Sequence, residues 1–353
     1  MAYTTINKST DYFNTKLYTG NGGTQSITGV GFQPDWIWVK ERSSSSSHQL
    51  IDAVRGYNKR LSSDNTGAEA VDSSPYNDFK SIDSDGFTIG SGGGVNQNSQ
   101  TYASWNWKAN GAGSANTTGS INSTVSVNTT SGFSIVKYTG NATVSTIGHG
   151  LGVAPKMIIT KNLSRSEAWP VDCRQGNDGA GGIMYLNETG TLGAYGNGNP
   201  YPSTVPTSTV YSVGTAGNTN YSGSELIAYC FAEKTGFSKF GQYKGNGSAT
   251  NGTFIYTGFK PAMIIIKRSD TSAGQWTIFD NKRNPNNEVR AMLVPNGTDV
   301  ELSQNENNMD FLSNGLKMYN SDGVFNASGS KYIYMAFAEA PLVGTNNIPA
   351  NAR

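Results

Sequence analysis

Large apolar residues return in the same order at three places along the chain. The closing run of each place reads Tyr102-Ala103-Ser104-Trp105-Asn106-Trp107, Leu226-Ile227-Ala228-Tyr229-Cys230-Phe231 and Tyr332-Ile333-Tyr334-Met335-Ala336-Phe337. Setting Trp107, Phe231 and Phe337 at one position puts Trp105, Tyr229 and Met335 two residues earlier. A period of two places large side chains on one face of a pleated strand, so this face is predicted to be core. The runs Trp36-Ile37-Trp38-Val39, Met157-Ile158-Ile159 and Met263-Ile264-Ile265-Ile266 are apolar at consecutive positions, short and rich in β-branched or aromatic residues. They predict strands covered on both faces. Pro34, Pro155 and Pro261 are expected just before those strands, where a missing N–H costs no ladder hydrogen bond. Asp85-Gly86, Asn246-Gly247, Asn296-Gly297, Asn314-Gly315 and Asp322-Gly323 supply turns, and no segment sustains a helical period.

The runs belong to longer repeats. Tyr18-Thr19-Gly20-Asn21, Tyr138-Thr139-Gly140-Asn141 and Tyr243-Lys244-Gly245-Asn246 each precede a Gly-x-x-Pro and its apolar strand, and the tyrosines lie 120 and 105 residues apart. That period is too long for solenoid or propeller units of roughly 20–50 residues. It predicts an all-β chain of three tandem, homologous β-sandwich-like domains with very little helix, each long enough to bury its own core. The expected boundaries are 1–107, 132–234 and 235–353, the last with a C-terminal tail. Residues 108–131, rich in Gly, Ser, Thr and Asn, are expected to form a flexible linker or an extended arm lying along a neighbour.

Composition narrows the classes. The 353 residues include 43 glycines, 14% charged residues and a formal charge of +1, which gives no electrostatic reason for a nucleic acid partner or an anionic membrane. The start Met1-Ala2-Tyr3-Thr4-Thr5-Ile6 has neither the basic stretch nor the apolar run of a signal peptide, and no membrane insertion is expected. Cys173 and Cys230 have no cysteine counterparts in the other repeats and are expected as two buried thiols. The Asn-x-Ser/Thr sequons carry no argument in a chain of this composition.

Chemistry is sparse. His48 and His149 occupy unrelated positions, and no nucleophile elbow, metal-ligand spacing or phosphate loop occurs. No catalytic, cofactor-binding or metal site is predicted, and no cofactor. A polar pair recurs in all three repeats, as Asp52 with Arg55, Asp172 with Arg174 and Asp280 with Arg283; it is read as an ion pair within each domain or a turn-stabilising aspartate. Asp299, Glu301, Glu306 and Asp310 supply carboxylates whose separation the sequence does not give, and separation is what glycosidic chemistry depends on. The best candidate for a ligand or partner is the insertion at 193–202, where Tyr195 and Tyr201 stand among turn formers as aromatic surfaces for a sugar or protein. The loops 69–79 and 299–310 are further places for contact.

The residues carry a resemblance. The opening at 10–22, Gln33-Pro34-Asp35-Trp36-Ile37-Trp38-Val39-Lys40, Ser84-Asp85-Gly86-Phe87, Trp105-Asn106-Trp107-Lys108-Ala109, the ending Ala336-Phe337-Ala338-Glu339-Ala340-Pro341 and Asn351-Ala352-Arg353 resemble repeat-containing virion structural proteins of marine bacteriophages of cyanobacteria and pelagic bacteria. The resemblance implies a non-enzymatic, tail-fibre-like particle component made in the host cytoplasm, and it transfers no catalytic residue. It implies other virion proteins as partners and contact with a host-surface glycan or protein through loops. A homo-oligomer is expected, a trimer in the first place, from the habit of virion appendages. Capsid decoration or a spike is the alternative, and a glycan depolymerase a more distant one.

Overall fold

A computed structural model describes residues 3–72, 78–174, 182–303, 308–344, 349 and 351. The chain is all-β, and the two α-helices among the described residues, Gly93–Asn96 and Gly217–Asn220, are single turns. In each repeat an opening strand (Phe13–Thr19, Phe133–Thr139, Ser238–Lys244) pairs antiparallel with the closing strand (Thr101–Trp107, Glu225–Phe231, Lys331–Pro341). The closing strand then pairs with the motif strand (Trp36–Glu41, Met157–Asn162, Phe259–Arg268), and that with a central strand (Gln49–Asp52, Pro170–Cys173, Trp276–Asp280). A small outer sheet covers each: Gln25–Thr28 with Gly86–Ile89 and Phe79–Asp83, Ser145–Gly148 with Val210–Val213, and Phe254–Tyr256 with Gly315–Met318 and Met309–Leu312. The motif strands are buried on both faces, as their unbroken apolar runs require. Strands begin after Pro34 and Pro155, but Pro261 lies inside its strand, where shifts of register on either side accommodate the missing N–H.

One face of each motif strand packs under its own outer sheet. In the first repeat Ile37, Val39, Ile51, Phe79, Phe87 and Ile89 form that layer, and in the second Val136, Ile158, Tyr211 and Val213 do. The other face turns to a core common to all three repeats. Trp36 of the first repeat stacks on Tyr229 of the second with ring centroids 4.4 Å apart and also meets Phe133 and Phe231, while Phe13 stacks on Phe337 of the third and Phe231 meets Phe337 edge-on. The first and second repeats thus bury layers of their own, as expected, but the repeats are not independent of one another, because the period-two aromatic faces of the closing strands meet in a shared core. A strand buried on both faces in a sequence is equally compatible with a lone sandwich, and only the packing distinguishes them.

The Tyr-x-Gly-Asn motif is explained by a buried asparagine six residues before each closing-strand core position Tyr102, Leu226 or Tyr332. Asn96, Asn220 and Asn326 are fully buried and accept from the backbone N–H of Asn21, Asn141 and Asn246 while donating to nearby carbonyls. The motif tyrosines Tyr18, Tyr138 and Tyr243 donate to the carbonyl just before each asparagine. Gly20, Gly140 and Gly245 lie so close to the carbonyls of Gln97, Tyr221 and Ala327 that a Cβ would collide with backbone. Asn220→Ala leaves the Thr143 and Gly214 carbonyls and the Asn141 N–H without their partner. We expect a loss of about 2–3 kcal/mol by urea denaturation.

Of the two expectations for residues 108–131, the structure shows the extended arm and not the flexible linker, and the neighbour it lies along is the second repeat of its own chain. Asp35 accepts the N–H of Ala109 at 2.7 Å and of Gly111 at 3.1 Å, and Ser126 Oγ accepts from Asn110. Ser114–Asn116 then pairs with Ser123–Asn128, which lies antiparallel on the opening strand Phe133–Thr139. With Ile183–Tyr185 at the other end, these strands widen the inner sheet of the second repeat to seven. Val125, Val136 and Ile121 bury together there.

Candidate functional site

The recurrent Asp/Arg pairs lie where repeats meet. Asp52 and Arg55 are completely buried, with Arg55 Nε 2.5 Å from Asp52 Oδ2, and that oxygen also accepts the Tyr229 hydroxyl of the second repeat at 2.8 Å. Asp280 holds Arg283 in the same way and accepts Trp105 Nε1 of the first repeat at 3.1 Å. Both aspartates cap the turn that follows, receiving the N–H of Arg55 and Arg283 on Oδ1. The ion pair and the turn cap lie within each repeat, as expected; the bonds from Tyr229 and Trp105 add a link to a neighbouring repeat and complete the use of the carboxylate oxygens.

The third seam differs because Asp172 does not occupy the same register. Asp52 and Asp280 stand opposite Trp36 and Met263, whereas the residue opposite Met157 is Cys173. A one-residue shift sends a side chain to the other face of a strand. Cys173 therefore enters the shared core, where Met335 holds the position of Tyr229 and Trp105, and no polar partner is required. Asp172 faces the insertion instead, pairing with Arg174 at 3.1 Å and accepting the Tyr195 hydroxyl at 2.6 Å. Burial raises the Asp172 carboxyl above its ordinary value, opposed by Arg174 and Tyr195.

This placement corrects the reading of the tyrosine loop. Tyr201 is fully buried, its hydroxyl 2.7 Å from Thr160 Oγ1. Tyr195 packs under the Arg174 guanidinium at 4.0 Å, its hydroxyl held by Asp172. Tyr195, with one ring face under a cation and its tip on a buried carboxylate, is partly buried against its own repeat and not displayed as a free aromatic surface. Both tyrosines fold the insertion onto its own repeat, as turn formers around a large apolar residue allow.

A second set of seam contacts comes from lysines ending the motif strands. Lys40, Lys161 and Lys267 are buried in equivalent positions. Lys161 Nζ donates to Thr66 O of the first repeat at 3.1 Å, and Lys267 Nζ to Thr189 O and Gly190 O of the second, both at 3.0 Å. Lys40 donates to Glu41 O and lies in the field of Asp299 and Glu301 of the third repeat. Burial pulls each ammonium down to about 8. Beside them, Trp169 Nε1 donates to Ser62 O and Trp276 Nε1 to Tyr185 O, each in the preceding repeat. His48 closes the ring between the third repeat and the first. Its Nδ1 accepts Trp38 Nε1 at 2.7 Å while Nε2 donates to Val294 O at 2.9 Å. Burial, with Lys40 and Arg283 nearby, lowers its pKa to about 3, so it is neutral at ordinary pH and both nitrogens are occupied. His149 likewise spends both nitrogens on backbone, accepting from Leu151 and donating to Thr207 O.

The carboxylate candidates separate. Glu301 is gripped by Arg42 through two 2.8 Å bonds and by Arg283 at 3.2 Å, and it binds the first repeat to the third. Asp310 lies on an outer strand, burial raising its pKa, and Glu306 lies outside the described residues. Among the described residues no cluster of His, Cys, Asp or Glu is arranged to hold a metal ion. Of loop 69–79, the described part surrounds Arg60, which pairs with Asp72 at 3.3 Å and Asp78 at 2.6 Å. Polar clefts of ≈ 330 and ≈ 320 Å³ open on the two sides of this arginine. One is lined by Ser47, Gln49 and Asn65, the other by Asp72, Asp78 and Gly93. The seam lysines and the buried asparagines were not singled out from sequence, although each recurs at a fixed offset from its strand. Among the described residues no helix is long and apolar enough to cross a membrane.

The family model described as a domain of unknown function (DUF7483) matches residues 8–341, and the chain belongs to that family. No curated protein matches it.

Proposed function

We propose that this member of a family without an assigned function is a non-enzymatic structural protein of a bacteriophage particle, part of the tail fibre or adsorption apparatus, meeting the host surface through loops. The observation that supports this reading most is the use made of its reactive side chains. Asp52, Asp280, Glu301, Arg55, Arg283 and His48 are spent on binding repeat to repeat rather than on lining a cavity. The stretches that resemble marine phage virion proteins are the same opening, motif and closing strands that build this ring. The polar clefts beside Arg60 are the concave surfaces such contact would use. A ring closed within one chain supplies a threefold arrangement that appendages otherwise assemble from three chains, so a trimer is not needed for it.

Antibody labelling of intact purified particles tests the reading. Label along or at the tip of the tail is the expected result, and label on the capsid shell would favour decoration or a spike. Particles that carry none of the protein would overturn the proposal in either form. A depolymerase would need a free carboxylate pair, and the two arginines on Glu301 argue against placing one there.

A further inference from the structure

The outer edge strand exists in three copies, and the three are finished differently. Its inward residue is Ile27, Ile147 or Ile255, buried in every repeat. In the second repeat residues 119–121 lie along the free edge. Ile121 N–H donates to Thr146 O at 3.0 Å, Ser120 and Thr146 exchange bonds at 2.9 Å, and Gly119 approaches so closely that a Cβ would meet Thr146 O. In the first repeat the outward positions are Ser26 and Thr28, and Ser26 is satisfied by Thr88. In the third they are Phe254 and Tyr256, which are 43% and 53% exposed.

The backbone of Phe254–Tyr256 is presented as well as its rings. Met318 N–H donates to Thr253 O and Thr257 N–H to Asn314 O, so Thr253 and Thr257 form bonded pairs with the neighbouring strand. Bonded and non-bonded pairs alternate along an antiparallel ladder, so the N–H and C=O of Phe254 and Tyr256 point to the free edge. Among the described residues no strand pairs there. These are the positions equivalent to Thr146, which the second repeat covers with a chain segment. Natural proteins protect such edges with charge, proline or a covering segment, and an aromatic edge with none of these invites pairing.

We propose that this edge pairs with the same edge of a second copy of the chain. The strand is complementary to itself. A twofold axis through Ile255 sets Phe254 opposite the partner copy's tyrosine and Tyr256 opposite its phenylalanine. Four backbone hydrogen bonds form, two aromatic cross-strand pairs lie on the outer face, and the three-stranded outer sheet becomes six-stranded. A contact this short is weak by the standard of interfaces that bury ~1,200–2,000 Å², so it operates at high protein concentration or within an assembled array.

Sedimentation of the full chain, from about 5 to about 500 µM, tests this, the range covering a weak dimer with a Kd near 100 µM. Native protein is expected to move toward the dimer mass. Phe254→Lys/Tyr256→Lys is expected to stay monomeric and folded, its melting temperature lowered slightly by loss of the Tyr256 contact with the Tyr3 hydroxyl. Ser26→Lys/Thr28→Lys, on the equivalent edge of the first repeat, is expected to dimerise as the native chain does. Amide exchange at Phe254 and Tyr256 should slow as concentration rises. Native chain that remains monomeric throughout, a lysine variant that dimerises normally, or dimerisation without protection of those two amides would each overturn the proposal.

Discussion

Trp36→Ala is expected to cost about 3–5 kcal/mol and to destabilise the whole chain rather than the first repeat alone. Trp36 has no exposed surface, and its ring lies 4.4 Å from both Trp107 of its own repeat and Tyr229 of the next. Phe133 and Phe231 complete the packing around it. Removing the indole opens a cavity that draws its walls from two repeats, and neither can collapse without moving the other. The indole N–H of Trp36 has no hydrogen-bond partner, so volume and stacking carry its contribution. Trp36→Met is therefore the informative control, since Met157 and Met263 hold the same register position in the other repeats. It is expected to recover a substantial part of the loss. Urea denaturation followed by tryptophan fluorescence and by far-ultraviolet dichroism should give one shared transition whose midpoint falls at nearly constant slope. Separate transitions, with only the earliest displaced by Trp36→Ala, would show that the repeats are independent units and that the shared core contributes little.

How far the sequence discloses this arrangement depends on the level. Trp105 and Trp107, with their counterparts, announce a strand with one apolar face, and Trp36-Ile37-Trp38-Val39 announces a strand covered twice; both hold in the structure. What covers the second face is not written in either run, because an aromatic facing a sister repeat has the same pattern as one facing its own outer sheet. The register slip at Asp172 did leave a trace. Arginine follows aspartate by three residues in Asp52–Arg55 and Asp280–Arg283 but by two in Asp172–Arg174, and the pairing of Cys173 with Met157 is the structural counterpart of that difference. Tyr195 and Tyr201 mislead for a general reason: turn formers around an aromatic suit a displayed ring and a ring that anchors its own loop equally well. Residues 108–131 are ambiguous in composition, since short side chains fit a covered sheet edge as readily as a tether, and Gly119 is where the closeness of the neighbouring strand requires glycine.

Raising the pH from about 7.5 to about 9 is expected to stabilise the protein by roughly 2 kcal/mol, opposite to the usual decline toward alkaline pH. Lys40, Lys161 and Lys267 hold their ammonium groups inside the seams, and burial lowers each from 10.5 to about 8. For a base with a lowered pKa in the folded state, the cost of burying its charge is fully present below about 8. That cost is relieved as pH rises toward the unfolded value, because the folded state releases a proton that the unfolded chain keeps. Across this interval each lysine adds roughly 1 kcal/mol, roughly 3 in all. Cys173 and Cys230 act in the opposite direction: burial raises both thiols, so the unfolded chain begins to ionise first, which offsets roughly 1 kcal/mol. The buried tyrosines Tyr18, Tyr138, Tyr211 and Tyr243, raised mainly by burial, oppose it increasingly toward pH ~10 and set the upper limit of the rise. Lys161→Met separates the contributions. It removes the titrating group while keeping the stem that lies beside Trp169, at the expense of the donor to Thr66 O. The difference in unfolding free energy between native chain and variant should widen by about 1 kcal/mol from pH 7.5 to 9, whatever the variant's stability at the lower pH. A difference that stays flat across the interval would mean that Lys161 keeps an ordinary pKa, and that the turn of the first repeat solvates the ammonium as fully as water does.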